Sequence, residues 1–89
     1  MTIQQESKMI CSEVFRLLRE ERERQGLSKY ALANKTGLSQ QAIGYVERGT
    51  ISPALDTILR IARALNVDLG KIVRAAEQSA QISKTKKSK

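Results

Sequence analysis

Apolar residues recur along this sequence with helical spacing, and no segment alternates with period 2 for long enough to make a strand. Val14, Phe15, Leu17 and Leu18 mark the inner face of a first helix, expected from about Ser7 to Gln25 and stopped at Gly26. Its second half, Arg19-Glu-Glu-Arg-Glu-Arg, reads as a charged outer surface. Ser28 then caps a short helix from Lys29 to about Lys35, closed by Gly37. Ser39 caps a third, from Gln40 to about Arg48, closed by Gly49. Ser52 followed by Pro53 reads as a cap plus a first-turn proline, opening a fourth helix that ends near Leu65. Asn66 suits a left-handed helix end, and Asp68 caps a fifth helix from Leu69 to about Gln78. The pattern predicts an all-α chain.

Length and composition narrow this further. Eighty-nine residues leave room for one core, expected over residues 9–78, between a flexible segment 1–8 and a disordered basic tail 79–89. No sensor or self-cleavage domain is expected in that length, so control is expected through assembly or concentration. Phe15, Tyr30 and Tyr45 are the only aromatics, and the Leu, Ile, Ala and Val content suits helices. No apolar run approaches the roughly 18 residues of a membrane span, and the polar N-terminus does not read as a signal peptide. Cys11 is the single cysteine, which excludes an intrachain disulfide and predicts a reducing, cytoplasmic setting.

The formal net charge of +7 points to a polyanionic partner, and its placement is uneven. Residues 1–26 balance, whereas residues 79–89 carry Lys84, Lys86, Lys87 and Lys89 with no acid, more than half of the excess. Such a tail is either a solvated end or a phosphate contact on DNA.

The informative stretch is Lys29-Tyr-Ala-Leu-Ala-Asn-Lys-Thr-Gly-Leu-Ser-Gln-Gln-Ala-Ile-Gly-Tyr-Val-Glu-Arg-Gly. Two short helices joined by a turn at Gly37 match a helix-turn-helix. Ala33 must be small where the helices cross, and Gly37 can take the positive φ of a sharp turn. Leu32, Leu38, Ile43 and Val46 fill the wedge between them. On the third helix, Ala42, Ile43 and Val46 form a buried stripe, and Gln40, Gln41, Gly44, Tyr45 and Arg48 the polar stripe opposite.

With these residues the sequence resembles the lambda-repressor/Cro-like (XRE) helix-turn-helix regulators over roughly residues 14–76. The likeness runs through Leu18-Arg19, Arg22, Leu27-Ser28, Leu32-Ala33, Gly37-Leu38-Ser39, Ile43 and Val46-Glu47-Arg48-Gly49. It continues in Pro53, Leu55, Leu59, Ile61-Ala62, Ala64-Leu65 and Val67. The resemblance implies a compact five-helix, lambda-repressor-like DNA-binding domain with its helix-turn-helix at helices 2 and 3. It implies a small transcriptional regulator, a repressor or a restriction–modification-type controller. It also implies that the start of helix 3 enters the major groove.

Base edges would then be read by Gln40 and Gln41, whose amides can donate to and accept from adenine, with Tyr45 one turn later. Gly44 departs from the family pattern; it costs about 1 kcal/mol against alanine in a helix, and it either allows close approach to DNA or is neutral drift. Phosphate contacts are implied for Lys29 at the start of helix 2, for Ser39 and Arg48 at the ends of helix 3, and for Thr50 and Ser52 in the following loop. That loop lacks the commoner run of Lys and Arg. By family position, Arg22 reaches Glu47.

One module contacts few base pairs, so two half-sites of a palindromic operator and a homodimer are expected, with Leu69, Ile72, Val73 and Ala76 of helix 5 as the dimer face. An enzyme finds no support: there is no histidine, no metal-ligand cluster, no glycine-rich phosphate loop after a strand, and Cys11 has no base in view. No cofactor, metal, small-molecule ligand or membrane is implied. The alternative is an antitoxin or other protein-interaction module built on the same fold.

Overall fold

The computed structural model describes the backbone of residues 1–87 and the side chains of residues 1–80. Its helices are α1 (Ile3–Arg24), α2 (Lys29–Thr36), α3 (Gln40–Arg48), α4 (Leu55–Ala64) and α5 (Leu69–Lys87). There is no strand among the described residues, so the chain is all-α. No helix among them is long and apolar enough to cross a membrane.

Two helices are longer than the sequence pattern predicts. α1 starts at Ile3 rather than Ser7, so most of the expected flexible segment 1–8 is helical. A capping box starts it: the Gln5 amide N–H donates to Thr2 Oγ1 at 3.1 Å, and the Thr2 N–H donates to Gln5 Oε1 at 2.9 Å. The apolar periodicity is faint there because Ile3 and Met9 face solvent. α5 in turn continues past Gln78 to Lys87. Ala80 is buried, and Ser79 Oγ donates to Glu13 Oε1 at 3.2 Å. The expected tail 79–89 therefore begins inside a helix. The side chains of Lys84, Lys86, Lys87 and Lys89, and the expected DNA contact of that tail, lie outside the described residues.

α1 and α5 run antiparallel. Gln25, just past the end of α1, donates through Nε2 to the carbonyl of Leu65 at the end of α4 at 2.7 Å, and Ser79 of α5 meets Glu13 in the middle of α1. The core takes Ala76 out of the dimer face expected on α5. Ala76 is 0% exposed within the core, and Leu69, Ile72 and Val73 are half-buried against it. Part of the apolar surface that looked surplus for one short helix is thus taken up by the chain's own core.

The core joins all five helices. Leu32, Ile43, Val46 and Leu65 are its largest enclosed side chains, with Val14, Leu18, Ile58 and Ile61 around them. Each such burial contributes about 1.5–3 kcal/mol. Asn66 has the expected positive φ of 59°, and Asp68 Oδ1 accepts from the Lys71 N–H at 3.2 Å to open α5. α4 differs from expectation. Ser52 is not its cap and Pro53 is not in its first turn; the extended Ala54 precedes Leu55 with no side-chain cap. Asp56 in the first turn supplies the negative charge that the helix start favours.

Candidate nucleic-acid interface

The corner between α2 and α3 is built by local hydrogen bonds. Gly37 ends α2 with φ 77°, a left-handed conformation that a β-carbon would strain. Thr36 Oγ1 donates back to the Leu32 carbonyl at 2.9 Å and accepts from the Leu38 N–H at 3.2 Å. From α4, Arg60 Nη1 donates to the Thr36 carbonyl at 3.3 Å, so the turn is also held from outside. Ser39 Oγ accepts from the Ala42 N–H at 3.0 Å and opens α3.

α3 is then fixed in angle by its buried side. Ile43 and Val46 are enclosed in the core. At its C-terminal end Glu47 accepts from Arg22 of α1 through two hydrogen bonds, Nε to Oε2 at 2.6 Å and Nη2 to Oε1 at 3.0 Å. Both side chains are about nine-tenths buried, at 10% and 8% exposure. Arg22 Nη1 also donates to the Leu27 carbonyl at 2.7 Å. Hydrogen bonding to Glu47 raises the pKa of Arg22 above its ordinary value, against the opposing effect of burial.

The opposite side of α3 faces solvent. Gln40 and Gln41 are exposed in its first turn, and Tyr45 is half-buried one turn on. Gln41 Nε2 donates to the Tyr45 hydroxyl at 2.8 Å. Gly44 does not lie open: it is buried, with the Arg48 guanidinium where a side chain would stand. The expected close approach of DNA at Gly44 is thus blocked by the chain itself unless Arg48 moves.

The flanking residues fall into two groups. Lys29 and Arg48 line one shallow cleft between α1, α2 and α3, beside Arg19 and above the Arg22–Glu47 pair. Thr50 and Ser52 line another, against the first half of α1, with Lys8 and Cys11. Both donors of Thr50 are committed: its N–H and its hydroxyl bond the Tyr45 carbonyl at 3.0 and 3.2 Å. A phosphate there would compete with the end of α3. The Ser28 and Ser39 hydroxyls act as acceptors in their caps, which leaves each O–H proton free to donate. Ser28 was singled out as a cap but not as a phosphate contact, although its place one residue before Lys29 was a signal. Lys8 gave no signal at all, since nothing in the sequence joins it to residues 50–52. Among the described residues, no group of His, Cys, Asp and Glu is placed to hold a metal ion.

The sequence profile of the helix-turn-helix family matches residues 18–72, from the middle of α1 into α5. The chain belongs to the helix-turn-helix family of lambda-repressor/Cro-like proteins. It is 40% identical over 52 residues to an uncharacterized HTH-type transcriptional regulator, y4dL, of Sinorhizobium fredii, covering 58% of this chain and 26% of that one. It therefore spans about a quarter of that relative's length. It is 45% identical over 49 residues to an uncharacterized HTH-type transcriptional regulator of Methanothermobacter thermautotrophicus, covering 55% of this chain and 71% of the other. In structure it is similar to a mutant of the restriction-modification controller protein C.Esp1396I. That match has a TM-score of 0.71 at 23% identity, over 84% of this chain and 95% of that one. At that identity the likeness speaks for the fold.

Proposed function

We propose that this chain is a DNA-binding transcriptional regulator that reads double-stranded DNA with the exposed face of α3. One observation carries the reading: α3 is anchored on its inner side by the core and by Glu47–Arg22, while Gln40 and Gln41 stand exposed in the first turn of its outer side. A recognition helix needs that combination, because base readout requires donors and acceptors held in a fixed frame. Membership of the helix-turn-helix family and the names of both relatives support it.

In this reading Gln40, Gln41 and Tyr45 meet base edges in the major groove. Lys29, with the Ser28 and Ser39 hydroxyls, meets phosphates at the starts of α2 and α3, where helix dipole and side chain act together. Ser52 and Lys8 offer a second phosphate contact on the other side. The protein acts in the cytoplasm as a homodimer on a palindromic operator, in the manner of a repressor or a restriction–modification controller.

The dimer face moves to α4. Leu55 and Leu59, one turn apart, are 68% and 42% exposed. Asp56 and Arg60 beside them form an ion pair at 3.1 Å, and a two-fold axis would set the acid of each copy against the base of the other.

Selection of bound sites from random duplex DNA tests the reading. The expected product is a two-fold symmetric consensus whose half-sites are about 34 Å apart, one turn of the duplex. Recovery of unenriched sequence, with equal affinity for any duplex, would overturn it.

A further inference from the structure

The outer face of α3 holds one arrangement that the reading above leaves unused. Gln41 and Arg48 are seven residues apart, so they fall within about 20° of a single line along the helix. That line lies opposite the buried Ile43 and Val46, at the centre of the exposed face. Between them, Gly44 leaves a notch.

Long side chains on a helix lean toward its N-terminus, over the turn before their own Cα. Arg48 does so. A β-carbon on Gly44 would stand 3.1 Å from Arg48 Nη1. The same guanidinium carbon lies 5.5 Å from the centroid of the Tyr45 ring, within cation–π range. Gln41 in turn donates to the Tyr45 hydroxyl. The notch and the ring thus carry the guanidinium back along α3 to the level of Tyr45, in line with Gln41. Among the described residues Arg48 makes no hydrogen bond and no salt bridge, so its donors are free.

We propose that Arg48 reads a guanine, donating two hydrogen bonds to O6 and N7 on the major-groove edge, rather than contacting a phosphate. The inference rests on α3 being the recognition helix. A guanidinium presents its donors as a rigid fork that matches those two acceptors as well as it matches a phosphate, and its place in line with Gln41 at the centre of the exposed face favours the base edge. Packing against Tyr45 and over Gly44 limits the orientations of the fork before DNA arrives, which lowers the entropic cost of a bidentate contact. Gly44 is the positioning residue, since any side chain there competes for the space that Arg48 fills.

The test uses the intact protein, its selected consensus site, and every single base-pair change in that site, at several salt concentrations. In the wild type, replacing one particular G·C pair per half-site is expected to weaken binding by roughly 5- to 150-fold. In Arg48→Ala that discrimination is lost, and in Arg48→Lys, which lacks the rigid fork, it is reduced, while the pairs dependent on Gln40 and Gln41 keep theirs. Gly44→Ala is expected to lose it as well, although its melting temperature holds or rises because alanine is the better helix former. A merely structural glycine would show no such split between stability and specificity.

The inference is overturned if Arg48→Ala weakens all sites by one factor and makes the salt slope shallower by about 0.9, the signature of a lost phosphate contact. It is equally overturned if no position of the consensus responds to Arg48→Ala, and α3 then remains the recognition helix without it. A wild type that selects no consensus overturns both.

Discussion

Arg22 and Glu47, 25 residues apart in sequence, close on each other through two hydrogen bonds of 2.6 and 3.0 Å that join α1 to the end of α3. The pair is nearly buried, and Arg22 also holds the Leu27 carbonyl. Surface ion pairs contribute about 0–1 kcal/mol, but removing one partner of a buried pair leaves the other uncompensated and costs about 3–5 kcal/mol. Glu47→Ala is expected near the lower figure, since the site lies at the rim of the core. Arg22→Ala should cost more, because it also leaves the Leu27 carbonyl without its partner. A double-mutant cycle by urea unfolding should give a coupling above about 1 kcal/mol. Additive single losses would show two independent charges.

Lys29 and Gln40 stand at the starts of successive helices and are expected to fail in different ways. Lys29→Ala should weaken cognate and random DNA by the same factor and make the slope of log affinity against log salt shallower by about 0.9. Gln40→Ala should cost about 1–3 kcal/mol on the cognate site while random-sequence binding stays nearly unchanged. Filter binding on both DNAs across a salt series separates the two, and indistinguishable profiles would remove the division between reader and clamp.

Leu55 and Leu59 make the proposed homodimer testable without DNA. Because both are exposed in the single chain, Leu55→Asp should leave the melting temperature of the monomer close to that of the wild type. In analytical ultracentrifugation it should abolish the dimer that the wild type forms. Loss of half-site cooperativity on operator DNA should follow. A variant that still sediments as a dimer would move the interface elsewhere.

Glu21 gives the chain a predictable response to acid. Hydrogen bonds from Arg24, then from Gln25, hold its carboxyl down at about 2. An unfolded glutamate titrates near about 4.3. The contribution is therefore complete above about pH 5 and is lost as pH falls toward 2, since the unfolded chain binds the proton first. Melting temperatures measured from pH 7 to 2 should fall less steeply for Glu21→Gln than for the wild type in that window. Because the site is exposed, added salt should shrink the difference. Parallel curves would show that the carboxylate does not matter.

Local chemistry was legible in the residues themselves. The ends of α2 and α3 follow from Ser28, Gly37, Ser39 and Gly49, because caps and left-handed turns depend on a few adjacent atoms. The buried stripe of Ile43 and Val46 is likewise a matter of period, and so is the outward placement of Gln40 and Gln41. What only the tertiary structure decided depends on which surfaces meet. α5 runs on past Gln78, with Ala80 buried and Ser79 bonded to Glu13 of α1, and no periodicity within α5 records that contact. Ala76 looked available for a second molecule until Val14 and Leu18 shared its core. Arg48, assigned to phosphate by its place in the sequence, folds back over Gly44 because a missing β-carbon leaves room that a linear pattern does not measure. Capping and amphipathic spacing are properties of neighbours along the chain, whereas burial and reach are properties of neighbours in space.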